Sequence, residues 1–295
     1  MSEIQQIAVL GAGTMGLGIA HVSALAGYDT RLFDVSPEAL TKAEARIHGN
    51  LDKGVEKGKV DADAAAGAKA RLGLDSDLAA AVASSDLVIE AAPESIELKV
   101  KIFGQVVAAC PEHTILSSNT SGLSITEMAA ATDRPGRFAG MHFFNPVHLM
   151  RLIELVRGLE TADSTIAALQ EVGQRMGKEV VTVNESPGFV TSRINALIGN
   201  EAFRMLEAGV ASPEDIDKAL KLGLNHPMGP FEMVDLVGLD IRLSILKFLH
   251  STLGDTYRPT TLMEQYVKAG RLGRKTGRGV YAYDSEGRRL KEGAS

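Results

Sequence analysis

Six residues near the start, Gly11-Ala12-Gly13-Thr14-Met15-Gly16, constrain this chain more than any other stretch, because of what stands on either side of them. An apolar run, IAVL at 7–10, leads straight into them, and a pattern with helical spacing over 14–26 leads out. Alone, such glycine spacing is a weak signal in a chain with 30 glycines among 295 residues. Its context gives it weight: a second run, TRLFD at 30–34, ends in Asp34, 18 residues beyond Gly16. Strand, tight turn, helix, strand and acid in that order make a βαβ unit suited to a dinucleotide. Gly11 permits the turn, Gly13 lets the backbone approach a pyrophosphate, and Gly16 lets helix and strand close up. With Ala12, Thr14 and Met15 they form a loop at a helix N-terminus, where amides face phosphates. An acid at Asp34 accepts from a ribose 2′-hydroxyl and repels a 2′-phosphate. No Arg stands in 35–38, so the cofactor expected is NAD.

The alternation continues. Apolar runs at 86–91, 114–119, 137–143 and 179–183 read as further strands, and 94–109 and 163–176 have helical spacing. From Ser36 to about Arg71 the rhythm breaks: Ser36-Pro37-Glu38 is a helix start, and a helical hairpin follows that reads as an inserted arm carrying Lys53, Lys57 and Lys59. After Asn184-Glu185-Ser186-Pro187-Gly188 the strand patterns stop and helical ones take over. The expected fold class is α/β: a Rossmann-like parallel sheet domain over 1–185, with the arm at about 36–71, followed by an all-α C-terminal domain over 186–295. The first C-terminal helix, with Ile194, Leu197, Ile198, Phe203 and Leu206, is more apolar than a domain of that size needs, which predicts a homodimer through this domain.

Composition excludes several classes. The 37 acidic and 31 basic side chains give a net charge of −6, which excludes attraction to nucleic acid or an anionic membrane by a global field. No apolar run approaches the roughly 18 residues of a membrane-spanning helix, and the N-terminus enters a strand without a basic leader. One cysteine, Cys110, permits no intramolecular disulfide and fits a reducing compartment. A cytoplasmic protein is expected. Gly270 to Thr276 looks like a triphosphate-binding loop at a glance, but Arg274 interrupts the spacing and no strand precedes it.

The stretch GMHFFNPVHLMRLIELV (140–156) sets His142 and then Glu154 among apolar residues. His142 stands at a strand's carboxyl end, where an α/β sheet presents its reacting groups. Oxidising an alcohol by hydride transfer leaves an O–H proton to remove, and an imidazole with an ordinary pKa near ~6.5 suits that task. Glu154 would fix the tautomer and stabilise the imidazolium. A metal site built from His142, His148 and Glu154 lacks a second carboxylate or a cysteine, and His148 reads as a loop residue.

Together, GAGTMG, IEAAPESIELK, SSNTSGLSI, MHFFNPVHLMRLIE, SPGFVTSR, HPMGPFEMVDLVGLD and GRKTGRGVY, in this order over essentially the whole chain, resemble the 3-hydroxyacyl-CoA dehydrogenase family, on the side of its short-chain bacterial 3-hydroxybutyryl-CoA members. The resemblance implies an acyl-CoA substrate, His142 as the base for the 3-hydroxyl and Glu154 as its partner. It implies that Ser121 bonds the substrate's 3-oxygen, that Asn145 borders the nicotinamide, and that Glu94, Lys99 and Lys275 line the NAD site. Lys57 and Asn50 would meet the CoA, Asn50 standing where relatives commonly carry Ser. Ser192 stands where the family usually has an Asn that polarises the substrate, so either Ser192 or Asn195 takes that role. Two other readings stay open: a dehydrogenase of the same superfamily acting on a free hydroxy acid of the L-gulonate or carnitine type, and a non-catalytic NAD-binding protein.

Overall fold

The structure is a computed structural model that describes residues 4–290. The chain divides into two compact units, Met1–Ser186 and Pro187–Ser295. In the first unit the strands are β1 (Gln6–Leu10), β2 (Asp29–Phe33), β3 (Leu72–Asp75), β4 (Leu87–Glu90), β5 (Ile115–Ser118), β6 (Phe138–Phe143), β7 (Leu152–Arg157) and β8 (Glu179–Asn184). They form one sheet in the order β3-β2-β1-β4-β5-β6-β7-β8. The helices are α1 (Thr14–Leu25), α2 (Pro37–Glu56), α3 (Ala62–Arg71), α4 (Leu78–Val82), α5 (Ile96–Val107), α6 (Ile125–Ala130) and α7 (Asp163–Arg175). The chain leaves β1 toward β2 on one side and later returns beside β1 as β4. In open α/β sheets such a reversal is where loops part and ligands bind at the strands' carboxyl ends.

The sheet is predominantly parallel, with one departure from the expectation. β6 and β7 pair antiparallel, and β8 then runs parallel to β7. Only residues 144–151 link β6 to β7, too few for a crossover, so the chain can only turn back. β3 and β7 were not expected as strands. β3 is four residues long, LGLD, at the end of a helical segment. β7 is continuous with an apolar run whose strand character depends on its partner.

The arm also proves different in kind. Ser36 caps α2 by accepting from the amide of Ala39, and Leu40, Ala43, Ile47 and Leu51 lay a buried stripe along it. With Ala65 and Ala68 of α3 they join the core that holds Ile19, Ala20 and Val22 of α1. The hairpin is therefore the β2–β3 crossover itself, bound into the core along one face, and only its other face is free to carry the lysines.

The second unit is helical: α8 (Thr191–Glu207), α9 (Pro213–Gly223), α10 (Pro230–Val237), α11 (Leu239–Leu253) and α12 (Thr261–Lys268). Its core gathers Phe203, Phe231, Leu239, Leu246 and Met263. Phe203, expected at an interface, is fully buried in this core, whereas Ile194 on the same helix is 53 % exposed.

Candidate active site

The glycine loop has the geometry its spacing implies. Gly11 adopts φ +105 and donates its amide to the Phe33 carbonyl at 2.7 Å. A Cβ on Gly16 would lie 1.7 Å from the Gly11 carbonyl oxygen, so no side chain fits there. A Cβ on Gly13 would meet nothing within 4 Å: that glycine keeps open space in front of α1. No side chain caps this helix, and its first-turn amides have no intrahelical acceptor. Open space, uncapped amides and a helix dipole fit a pyrophosphate. Asp34 accepts from the amides of Ala12 (2.8 Å) and Ser36 (2.9 Å), one per carboxylate oxygen. Each oxygen keeps a further lone pair for a ribose hydroxyl. The residues present therefore fit NAD.

Beside this loop lies a buried polar centre that joins the expected Glu94, Lys99 and Ser121 to Glu90, which the sequence does not single out. Glu90, the last residue of β4, is wholly buried. It accepts from Lys99 Nζ at 2.6 Å, from the Ala92 amide at 2.6 Å and from Ser118 Oγ at 2.6 Å. Lys99, 1 % exposed, also donates to the Ala92 carbonyl at 3.2 Å and lies 3.4 Å from Glu94 Oε2. Glu94 Oε1 in turn accepts from Thr120 Oγ1 (2.7 Å), the Ser121 amide (2.9 Å) and Ser121 Oγ (3.1 Å). Glu94, Lys99 and Ser121 thus belong to one network across the ends of β4 and β5. The available signal for Glu90 was an acid closing the otherwise apolar strand DLVIEA.

His142 and Glu154 face each other directly across β6 and β7. His142 Nδ1 lies 2.8 Å from Glu154 Oε2, with His142 7 % exposed and Glu154 fully buried. Because a strand pair fixes directly opposite side chains on one face, the two residues are oriented by the sheet itself. Asn119, at the end of β5, accepts from the Phe143 amide at 2.8 Å and ties the next strand end to this pair. Asn145 is exposed in the 144–151 loop.

Asn50 and Lys57 lie together in a cleft of about 500 Å³ between α1, α2, the 148–151 segment and the turn after α7. Lys53, Lys59, Arg151 and Arg175 also line it, so its walls are strongly basic, whereas Lys178 borders it with its ammonium turned onto the Val147 and Met150 carbonyls. Leu149 and Met150 give it an apolar strip, 60 % and 42 % exposed. His148, read as an unremarkable loop residue, stacks on His21 in this cleft with ring centroids 5.5 Å apart. Burial, then the neighbouring His148 and Lys178, pull His21 down to about 4.

In the second unit, Ser192 lies in the first turn of α8, with Asn195 three residues on. Lys275 pairs with both carboxylate oxygens of Asp240, at 2.6 and 2.7 Å. Among the described residues no cluster could hold a metal ion, and no helix is long and apolar enough to cross a membrane.

Residues 6–186 match the family pattern described as 3-hydroxyacyl-CoA dehydrogenase, NAD binding domain, and residues 188–283 match the C-terminal domain of the same family. The chain is 47 % identical to a probable 3-hydroxybutyryl-CoA dehydrogenase of Bacillus subtilis over 96 % of this chain and 99 % of that one. It is 48 % identical to a 3-hydroxybutyryl-CoA dehydrogenase of Bradyrhizobium diazoefficiens, over 95 % and 96 %. The crystal structure of (S)-3-hydroxybutyryl-CoA dehydrogenase from Ralstonia eutropha superposes with a TM-score of 0.93 at 46 % identity, covering 96 % of this chain and all of that one.

Proposed function

The chain belongs to the 3-hydroxyacyl-CoA dehydrogenase family, and from that premise we propose how it works: it interconverts a short-chain (S)-3-hydroxyacyl-CoA and its 3-oxoacyl-CoA, with His142 carrying the proton. The observation that carries this reading is the buried His142–Glu154 pair, an imidazole oriented by a carboxylate at 2.8 Å.

NAD, when bound, would supply the acceptor for the hydride that leaves C3 of the substrate. With Nδ1–H donated to Glu154, His142 Nε2 is the nitrogen that takes the 3-hydroxyl proton. The imidazolium then formed is stabilised by the buried carboxylate. In the reverse direction the same nitrogen returns the proton to the 3-oxygen. In this reading Ser121 turns its hydroxyl from Glu94 to donate to that oxygen, while its amide stays on the Glu94 carboxylate and fixes the turn. Gly11 to Gly16, Asp34, Glu94, Lys99, Asn145 and Lys275 serve the cofactor. Ser192 or Asn195 supplies the polarising contact, and their alanine variants would distinguish them by which one lowers kcat.

The basic cleft takes the CoA. A polyphosphorylated nucleotide on an apolar pantetheine arm suits the lysines and arginines around Leu149 and Met150, with Asn50 and Lys57 among the contacts. A small free hydroxy acid needs no such surface, which disfavours the alternative substrate class. A cytoplasmic homodimer is part of the same reading, supported by the single cysteine and by Ile194, Ile241 and Phe248, exposed apolar residues on α8 and α11.

Following NADH consumption tests the reading. Acetoacetyl-CoA should be reduced with NADH, and free acetoacetate at least about a hundredfold less efficiently, because the binding energy of the CoA handle is lost. NADPH should be a poor donor. Absence of turnover with any short or medium 3-oxoacyl-CoA would overturn it.

A further inference from the structure

Lys178 is a buried lysine that neither the glycine loop nor the catalytic pair uses. It follows Gly177 in the turn between α7 and β8 and is 8 % exposed. Its ammonium donates to two backbone carbonyls, Val147 at 2.5 Å and Met150 at 2.8 Å. Among the described residues it bonds no carboxylate, and burial lowers its pKa. Carbonyl dipoles offset the desolvation of an ammonium only in part. A methionine would fill similar space without that cost, so packing alone does not explain the charge.

Its two acceptors explain more. Both lie in the 144–151 loop, the direct link between the strand of His142 and the strand of Glu154. Inside the loop, the Pro146 carbonyl accepts from the Leu149 and Met150 amides at 2.9 Å each. Val147 also rests on α1 at Gly18, where a Cβ would come within 2.8 Å of its side chain. The loop is therefore held both by α1 and by Lys178, and His148, Leu149 and Met150, its outer residues, form a wall of the basic cleft.

We propose that Lys178 is a positioning residue for the reaction: by holding the Val147 and Met150 carbonyls it fixes the cleft wall relative to the His142–Glu154 pair, so that a thioester anchored by its CoA handle reaches the catalytic imidazole in register. The inference rests on the acyl-CoA reading above. It assigns Lys178 no contact with substrate or cofactor. Misplacement by an ångström or so at such a support lowers efficiency by about 10 to 10².

Steady-state NADH oxidation by wild type and K178M, with acetoacetyl-CoA and with S-acetoacetyl-N-acetylcysteamine, which lacks the nucleotide handle, tests this. K178M should lower kcat for acetoacetyl-CoA about tenfold with KM nearly unchanged, while kcat/KM for the short thioester and NADH affinity change by less than about threefold. K178R, which keeps the charge and the donors, should recover most of the loss. An unchanged kcat, a loss carried by KM alone, or equal losses on both thioesters would overturn the inference, the second by making Lys178 a binding cation and the third by showing general loosening. If K178M fails to fold, G18A gives an independent test by pushing Val147 from the α1 side: the same selective fall in kcat supports the inference, and wild-type kinetics overturn it. No turnover of either thioester by wild type removes the acyl-CoA reading and this inference with it. Wild-type turnover matched by K178M removes the inference alone.

Discussion

Two polar regions of the first unit are built on opposite terms. Around the ends of β4, β5, β6 and β7, Glu90, Lys99, His142 and Glu154 are almost wholly buried, and each has a partner at hydrogen-bond distance. In the cleft between α1 and α2, Lys53, Lys57, Lys59 and Arg151 are exposed and of one sign. Buried charges are strongly coupled to their partners and costly to leave alone. Exposed ones are screened, individually weak, and useful mainly in number. The first region can hold atoms in place to tenths of an ångström. The second can only attract and retain a polyanion. Rate and capture thus depend on different parts of the same sheet domain.

That division can be broken by experiment. Lys99→Met leaves the Glu90 carboxylate buried without its cation, and the fold should lose about 3–5 kcal/mol in urea unfolding. A loss below about 1 kcal/mol, the scale of a surface pair, would mean that the centre is not closed. Glu154→Gln keeps an acceptor opposite His142 but removes the charge that stabilises the imidazolium. A fall in kcat of about 10², with KM for acetoacetyl-CoA nearly unchanged, is expected, and a loss carried by KM would assign Glu154 to binding.

The cleft should respond in the opposite manner. Lys57→Ala should raise KM for acetoacetyl-CoA by a few-fold, roughly 1 kcal/mol, with kcat and stability unaffected. Raising salt from about 0.05 to about 0.5 M should raise the wild-type KM in the same direction. A salt-independent KM would deny the cleft its electrostatic role.

A further effect, on stability against pH, concerns His21 in the cleft. Its folded pKa, about 4, lies below the ordinary 6.5, so between those values the unfolded chain binds more protons. The stability it contributes is full above about pH 6.5 and is lost as pH falls toward about 4. Wild type should lose on the order of 2 kcal/mol more than His21→Gln over that window. Equal losses would mean that His21 meets the acid as readily folded as unfolded.

What was legible in the sequence follows the same divide. β1, β4, β5 and β6 are short runs buried on both faces and β2 alternates buried and exposed residues, and local pattern suffices to find them. The glycine loop was legible because backbone sterics admit few residues there. His142 and Glu154 were legible as residue types in an apolar run, but their meeting depends on β7 turning back antiparallel, a matter of tertiary pairing. Glu90 and Lys178 were not singled out. Glu90 looks like a strand-end acid and Lys178 like a solvated turn lysine, and the partners that bury them come from 9 to 31 residues away. The arm was misread because its apolar stripe, Leu40 to Leu51, has no visible target until α1 is placed beneath it.

The claim at the centre of this account is that His142 moves the proton, and replacing it by glutamine tests that claim most directly. With NADH and saturating acetoacetyl-CoA, His142→Gln should bind NADH with wild-type affinity and lose at least about a hundredfold in kcat. Near-normal turnover by that variant would contradict the account.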